Sequence, residues 1–80
     1  MPVATVNLVE SEVARRVAEF QAEFGAAPVH VALGEKAYAA VCASPRGLKL
    51  VCGTLLFDAT TKCLRDWALP PLAIVPRAGG

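Results

Sequence analysis

Apolar residues in the first third of the chain recur at spacings of four and three, which is the period of one helix face. The residues that follow this spacing are Val9, Val13, Val17, Phe20 and Phe24. Asn7 is the predicted N-cap, Glu10 reaches back to it, and Gly25 ends the segment. The spacing predicts an amphipathic helix over residues 8–24, whose apolar face belongs either to the core or to a dimer seam.

From Pro28 the period changes to two. Residues 29–33 alternate between larger apolar side chains and His30 or alanine, which predicts a short strand with one buried face. Gly34 marks the turn that follows, and residues 35–43 predict a second, shorter helix. Proline and glycine within residues 44–47 predict a turn that ends this helix.

Residues 48–58 are the longest strand candidate, and they are apolar on both faces except at Lys49 and Thr54. Such a strand is expected to be covered on both sides. Gly53 in its middle predicts a bulge or the close approach of another backbone.

The rest of the chain predicts shorter elements. Residues 59–62 are expected to turn the chain, residues 63–69 to return as an edge strand, and residues 72–75 to form a final short strand. Residues 3–6 provide an additional N-terminal strand as an alternative.

These elements predict an α+β fold in the order α-β-α-β-β-β. The expected architecture has two layers, with two helices on one face of a three- or four-stranded sheet. No repeat or linker is apparent, so residues 1–80 are expected to form a single compact domain, with residues 76–80 as a frayed tail.

The composition is more apolar than is usual for so short a chain. Of its 80 residues, 55% are hydrophobic and 19% charged, and the mean hydropathy is +0.47, whereas a typical domain has about 45–50% apolar and about 25% charged residues. A domain of this size buries only about 60% of the surface of its unfolded chain. The apolar surplus therefore predicts a surface patch that another subunit covers.

Several locations and partners are disfavoured by the sequence. No apolar run reaches the roughly 18 to 20 residues of a membrane-spanning helix, and the first residues lack the features of a signal peptide. The net charge of +1 creates no field that would attract nucleic acid. Three cysteines without close pairing indicate reduced thiols. A cytoplasmic protein with no membrane and no nucleic-acid partner is expected.

Motifs for catalysis and ligand binding are sparse. The six glycines form no phosphate-binding loop, and a zinc site would need the single histidine and all three cysteines to converge from separate elements. No cofactor or metal is therefore expected. The sequence favours a protein that is not an enzyme. A small thiol-dependent enzyme is an alternative, with Cys63 as nucleophile and His30 as base.

Trp67, the sole tryptophan, lies in a proline-rich stretch with little charge. It either caps the core or anchors an interface, because tryptophan is enriched at binding hot spots. The predicted interface residues are Phe20, Phe24, Trp67, Leu69, Pro70, Pro71 and Leu72.

Residues 28–41 combine a strand, a glycine turn and a helix that carries Tyr38, and in residues 69–75 a leucine-proline pair precedes an apolar strand. This pattern, over about a quarter of the chain, resembles small prophage-encoded α+β proteins and the shell domain of tailed-phage capsid proteins. The chain is much shorter than a shell protein, so the resemblance implies a phage-related assembly or virion accessory protein. It carries over no binding residue.

The predicted function is a small interaction or assembly module that binds protein, most simply by forming a homo-oligomer or by joining a larger assembly. The apolar surplus and the position of Trp67 beside Pro70 and Pro71 motivate it. A regulatory inhibitor that docks on a larger enzyme is the other alternative. For a phage-encoded chain, a virion location replaces the cytoplasm.

Overall fold

The residues that the structure describes form two helices and five strands. The computed structural model describes the backbone of residues 2–78 and the side chains of residues 8–78. Its elements are α1 (Pro2–Phe24), β1 (His30–Leu33), α2 (Glu35–Ala43), β2 (Gly47–Lys49), β3 (Leu55–Phe57), β4 (Thr61–Arg65) and β5 (Ile74–Arg77).

The five strands form one mixed sheet in the order β2-β3-β4-β1-β5. β1 pairs parallel with β4 and antiparallel with β5, and the other neighbours are antiparallel. The α+β class is confirmed, although the sheet has five strands where three or four were predicted.

Both helices pack on the same face of this sheet, as the sequence predicts. α1 contributes Val9 and Val13 to the core, and α2 contributes Ala37 and Val41. The sheet residues of the core are Val31, Leu33, Leu55, Phe57, Cys63 and Ile74. Because neighbouring side chains on a strand point to opposite faces, the residues between these positions lie on the face without helices.

α1 begins earlier than the apolar spacing predicts. Its helical backbone starts at Pro2, so the additional strand at residues 3–6 is wrong. Proline suits a first turn because its fixed φ is helical and its missing N–H would be unpaired there. Asn7 consequently lies inside the helix and is not its N-cap. The other end agrees with the prediction, since Gly25 has φ +74°.

The single strand predicted over residues 48–58 is a hairpin. β2 and β3 are joined by residues 50–54, where the amide of Leu50 donates to the carbonyl of Thr54 at 2.8 Å. Gly53 lies in this turn with φ +89°, and not at a bulge within a strand. The hairpin was missed because three residues of its turn are apolar, whereas turns favour polar residues, glycine and proline.

β4 begins two residues before the edge strand predicted over 63–69, and it ends at Arg65. It pairs with β3 on one side and β1 on the other, so it is the central strand of the sheet and the prediction of an edge strand is wrong. The turn that precedes it contains Asp58 and Ala59 at φ +53° and +61°. These are left-handed conformations that residues other than glycine adopt infrequently. Because the turn is tight, β4 begins at Thr61, earlier than the sequence predicts.

β5 is also displaced from its predicted position at residues 72–75. It runs through Pro76 and Arg77, which the sequence assigns to the frayed tail, while residues 79 and 80 lie outside the described part of the chain. Proline is accommodated because β5 is an edge strand of the sheet.

Candidate interaction surface

The predicted interface residues lie at two separate places. Near the start of α1, Leu8 lines a shallow groove of about 260 Å³ with Leu72. Phe24 is about 24 Å beyond Leu8 along the helix, at 1.5 Å per residue. The structure therefore does not bring Phe20 and Phe24 together with the stretch 67–72.

Phe20 and Phe24 form a pair at the end of α1. Their ring centroids are 4.5 Å apart, and Phe24 is 62% exposed. The apolar stripe of α1 is thus core at Val9 and Val13 and reaches solvent at its C-terminal end.

Residues 66–73 form a loop that crosses the end of the sheet and is tied down by its backbone. The amide of Gly34 donates to the Ala73 carbonyl at 3.0 Å, and the amide of Ala37 donates to the Pro71 carbonyl at 2.9 Å. A Cβ on Gly34 would lie 1.8 Å from the Pro70 carbonyl oxygen. The prolines thus help to hold the fold through their carbonyls, whereas their side chains are exposed and Leu69 is half-buried.

Trp67 lies in this loop and is 70% exposed, so it does not cap the core. The guanidinium carbon of Arg65 stands 4.0 Å from the centroid of the Trp67 ring and 5.5 Å from that of Tyr38. Both distances are within the range of cation–π attraction. Trp67 is therefore part of an exposed cluster with Arg65 and Tyr38.

Another exposed feature is the sheet face opposite the helices, here called the outer face. Strand register and alternation assign eight strand residues to it: Leu48, Leu56, Lys62, Leu64, His30, Ala32, Val75 and Arg77. Five of the eight are apolar, although a sheet face without helices is usually polar. Leu48 is 46% exposed and Leu64 40% exposed. Leu50, just beyond β2, extends the apolar surface and is 38% exposed.

The sequence alone assigns no residues to the outer face, although one feature of the sequence indicates it. Residues 48–58 were expected to be covered on both sides because both faces are apolar. The helices cover Leu55 and Phe57 on one face, and no described element covers Leu56 on the other. Knowing which face stays open required the register, which the sequence does not specify.

An ion pair crosses the outer face over β1. Arg77 of β5 lies 3.6 Å from Asp66, which directly follows β4, and β1 is between these two strands. Ala32 of β1 is only 2% exposed despite lying on the face without helices. The outer face therefore has a small-residue centre, apolar flanks and charges of both signs at its margins.

Both edges of the sheet are poorly suited to pairing with another strand. Opposed residues of β1 and β5 alternate between hydrogen-bonded and non-hydrogen-bonded pairs. Because Gly34 is bonded to Ala73, Val31 and Pro76 form a non-hydrogen-bonded pair. The nitrogen of Pro76, which carries no hydrogen, therefore faces away from β1 at the edge of the sheet. At β2, the outward amide of Gly47 already donates to Ser44 at 3.0 Å, and the strand is only three residues long. Short edges and proline are common devices against edge association.

Cys63 and His30 are not brought together. Cys63 pairs in register with Val31 and points into the core, so His30, one residue before Val31, lies on the opposite face of the sheet. Burial also raises the pKa of the Cys63 thiol from 9.0 to about 11, which disfavours the thiolate that a nucleophile requires. The geometry gives no support to the thiol-enzyme alternative.

The other two cysteines are exposed and unbonded. Cys52 lies in the hairpin turn, where its thiol donates to the hydroxyl of Thr54 at 3.3 Å. The Thr54 side chain lowers the pKa of Cys52, and Lys62 adds to this effect. Among residues 8–78, no three histidine, cysteine or acidic side chains converge in a group that could hold a metal ion.

A groove of about 430 Å³ lies between the second half of α1 and the turn before β4. Its walls include Val17, Phe57 and several alanines, with Gln21 and Thr61 at polar positions. Asp58, at its margin, forms a two-point contact with Arg46 at 2.7 and 2.6 Å, which lowers the pKa of Asp58. The polar groups of the groove do not form a recognisable ligand site.

Between residues 2 and 78, neither helix has the length and apolar composition needed to cross a membrane. No protein-family model, curated protein or solved structure matches the chain. Its function is therefore inferred from its own geometry and chemistry.

Proposed function

We propose that the chain is a non-enzymatic protein–protein interaction module that associates with a second copy of itself through the outer face. The observation that carries the proposal is the apolar character of five of the eight outer-face positions. Four of the five, all except Ala32, are exposed or partly exposed. Apolar side chains on an open sheet face, where polar residues are usual, make that face a candidate interaction site. The blunted edges of the sheet favour contact through the face.

A second copy fits because the outer face of β4 is complementary to itself. Along this strand and the residue after it, Lys62, Leu64 and Asp66 provide a cation, an apolar side chain and a carboxylate. The amide of Asp66 donates to the Leu33 carbonyl at 2.8 Å, which continues the strand pairing to this residue. Suppose that a two-fold axis lies between the two outer faces, perpendicular to β4 and level with Leu64. The two copies of β4 then run antiparallel, so Leu64 contacts Leu64 of the second copy and each Lys62 is opposite an Asp66.

The size of the outer face indicates a weak dimer. Five strands about 4.8 Å apart and about four residues long span about 19 by 13 Å, or about 250 Å² in the plane. A standard interface buries about 800 Å² per partner. We therefore expect a dissociation constant between about 10 µM and 1 mM.

Sedimentation equilibrium over that concentration range tests the proposal. The wild-type chain should show a reversible monomer–dimer equilibrium, and Leu64→Asp should weaken it at least tenfold because it brings two carboxylates together in an apolar contact. Leu8→Asp is the matched control, since Leu8 is 70% exposed on α1 and belongs to the opposite layer. A chain that stays monomeric at the highest concentration, or equal effects of the two variants, would contradict the proposal.

A charge-exchange experiment tests the self-complementary arrangement specifically. Lys62→Glu should weaken the dimer about tenfold, because two ion pairs are replaced by repulsion. The double variant Lys62→Glu/Asp66→Lys restores opposite charges across the axis and should recover most of the affinity. Asp66 also accepts from the Ala68 amide at 2.9 Å and pairs with Arg77 at 3.6 Å. Asp66→Lys alone is therefore the reference for the loss of these internal contacts, and folding of each variant is checked by circular dichroism. If the double variant associates no better than Lys62→Glu, the proposed axis is wrong.

A role in phage or virion assembly stays a prediction from the resemblance of residues 28–41 and 69–75. A cytoplasmic location stays a prediction from the absence of signal-peptide features in the first residues. Docking on a larger enzyme would use the same outer face with another occupant. A monomeric chain that nevertheless loses binding to an enzyme on Leu64→Asp would support that alternative over self-association.

A further inference from the structure

The guanidinium of Arg65 contacts two aromatic rings at the end of β4. Its guanidinium carbon is 4.0 Å from the Trp67 centroid and 5.5 Å from the Tyr38 centroid. Tyr38 comes from α2 and Trp67 from the loop after β4, so separate elements support the two sides. An arginine held in this way loses little conformational entropy when it binds a further group.

Arg65 also differs from the other arginines in its polar contacts. The four arginines that form ion pairs are Arg15, Arg16, Arg46 and Arg77. Among the described side chains, Arg65 has no carboxylate within ion-pair distance and donates no hydrogen bond. Arg65 is exposed, so its N–H donors are accessible to a group outside the chain, and the two ring contacts restrict its orientation.

We infer that the cluster of Arg65, Trp67 and Tyr38 binds a carboxylate on an acidic segment of a partner protein. The guanidinium fork matches both oxygens of a carboxylate, and hydrogen bonds between two charged groups are stronger than neutral ones. Tryptophan, tyrosine and arginine are also the residues most enriched at binding hot spots. Trp67 is 70% exposed and provides apolar contact area beside the charge.

The charge distribution favours a protein segment over a nucleic acid. Nucleic acids are bound by rows of lysine and arginine that neutralise several phosphates, whereas this cluster presents a single cation. The net charge of the chain is only +1, and the neighbouring Asp66 adds a negative charge. The site is therefore suited to one carboxylate and its immediate surroundings.

Trp67 makes the site directly observable, because it is the only tryptophan in the chain. The chain is titrated with a hexaglutamate peptide at an ionic strength of about 0.15 M, where the Debye length is about 8 Å, and Trp67 fluorescence is recorded. Hexaglutamine is the uncharged peptide control, and hexathymidylate is the nucleic-acid control. We expect a saturable fluorescence change with hexaglutamate alone, which is weakened at least tenfold in Arg65→Gln and partly retained in Arg65→Lys.

Lys49→Gln is the matched protein control, since it removes the same charge from β2 at the far edge of the sheet. It should leave hexaglutamate binding within about twofold of wild type, because exposed charges at this distance are screened. Urea denaturation confirms that each variant folds. No saturable change with hexaglutamate, equal losses in Lys49→Gln and Arg65→Gln, or tighter binding of hexathymidylate would each overturn the inference. The chain concentration is kept below the dimer dissociation constant, so that the chain is monomeric and the result does not depend on self-association.

Discussion

Replacing Gly34 with alanine tests how closely the loop 66–73 lies against β1 and α2. Gly34 has φ −67°, which alanine adopts readily, so the backbone conformation does not require glycine. The requirement is steric: the added Cβ would be 1.8 Å from the Pro70 carbonyl oxygen and 2.7 Å from the Pro71 carbonyl. Real Cβ contacts essentially never fall below 3.0 Å, so the loop must move by more than 1 Å.

That movement should break the hydrogen bonds that hold the loop. The bonds from Gly34 to Ala73 and from Ala37 to Pro71 are 3.0 and 2.9 Å long, and each is worth about 1 kcal/mol. With the loss of packing, we expect a destabilisation of about 2 to 4 kcal/mol. A chain of 80 residues has a total free energy of unfolding of about 4 to 12 kcal/mol, so the variant should be close to the limit of folding.

Urea denaturation followed by far-ultraviolet circular dichroism measures the effect, and Trp67 fluorescence reports on the loop itself. Gly25→Ala is the control, because a Cβ at Gly25 meets nothing within 4 Å and the only cost is its φ of +74°, about 1 kcal/mol. Gly34→Ala should be clearly less stable than Gly25→Ala. Without the close approach, alanine at a compatible φ would change stability by no more than about 1 kcal/mol, and a result of that size would refute the reasoning.

Three further predictions concern the turn before β4 and the cysteines. Ala59→Gly should raise the free energy of unfolding by about 0.5 to 1 kcal/mol and the melting temperature by about 2 to 8 °C, because φ is +61° at this position; an unchanged or lower melting temperature would contradict this. Ellman's reagent should titrate two thiols in the native chain, Cys42 and Cys52, and Cys63 only after unfolding; three fast thiols would show that Cys63 is accessible. Burial raises the pKa of Cys63 from 9.0 to about 11 in the folded chain, so unfolding releases a proton at alkaline pH. The free energy of unfolding should therefore be unaffected by this thiol below pH 9 and should fall by about 2 to 3 kcal/mol as the pH rises to 11. Cys63→Val should lack that part of the alkaline loss in urea denaturation, and identical pH profiles would argue against it.

Local signals were sufficient where neighbouring residues determine the conformation. The bounds of α2 and the position of β1 agree with the sequence, because glycine, proline and alternation mark their ends. The hairpin of β2 and β3 was missed, since its turn is apolar and its conformation depends on pairing across the strands. β5 was displaced for a similar reason, because Pro76 is tolerated only through its place at the sheet edge.

The presence of exposed apolar surface was predictable from the sequence, but its position was not. The stretch around Trp67 left open whether that residue caps the core or anchors an interface, and only the apolar surplus could be inferred from composition. The outer face could not, because its members come from five strands and meet only through the sheet register. Likewise, the opposite orientations of His30 and Cys63 follow from the pairing of β1 with β4, which no spacing in the sequence reveals.

Isotope-filtered nuclear Overhauser measurements on a mixture of labelled and unlabelled chains test most directly whether a second copy covers the outer face. At concentrations above the dimer dissociation constant, methyl groups of Leu56, Leu64 and Val75 should show contacts between chains, whereas Leu8 should show none. Intermolecular contacts confined to Leu8 or Phe24, or a complete absence of contacts between chains, would contradict the account.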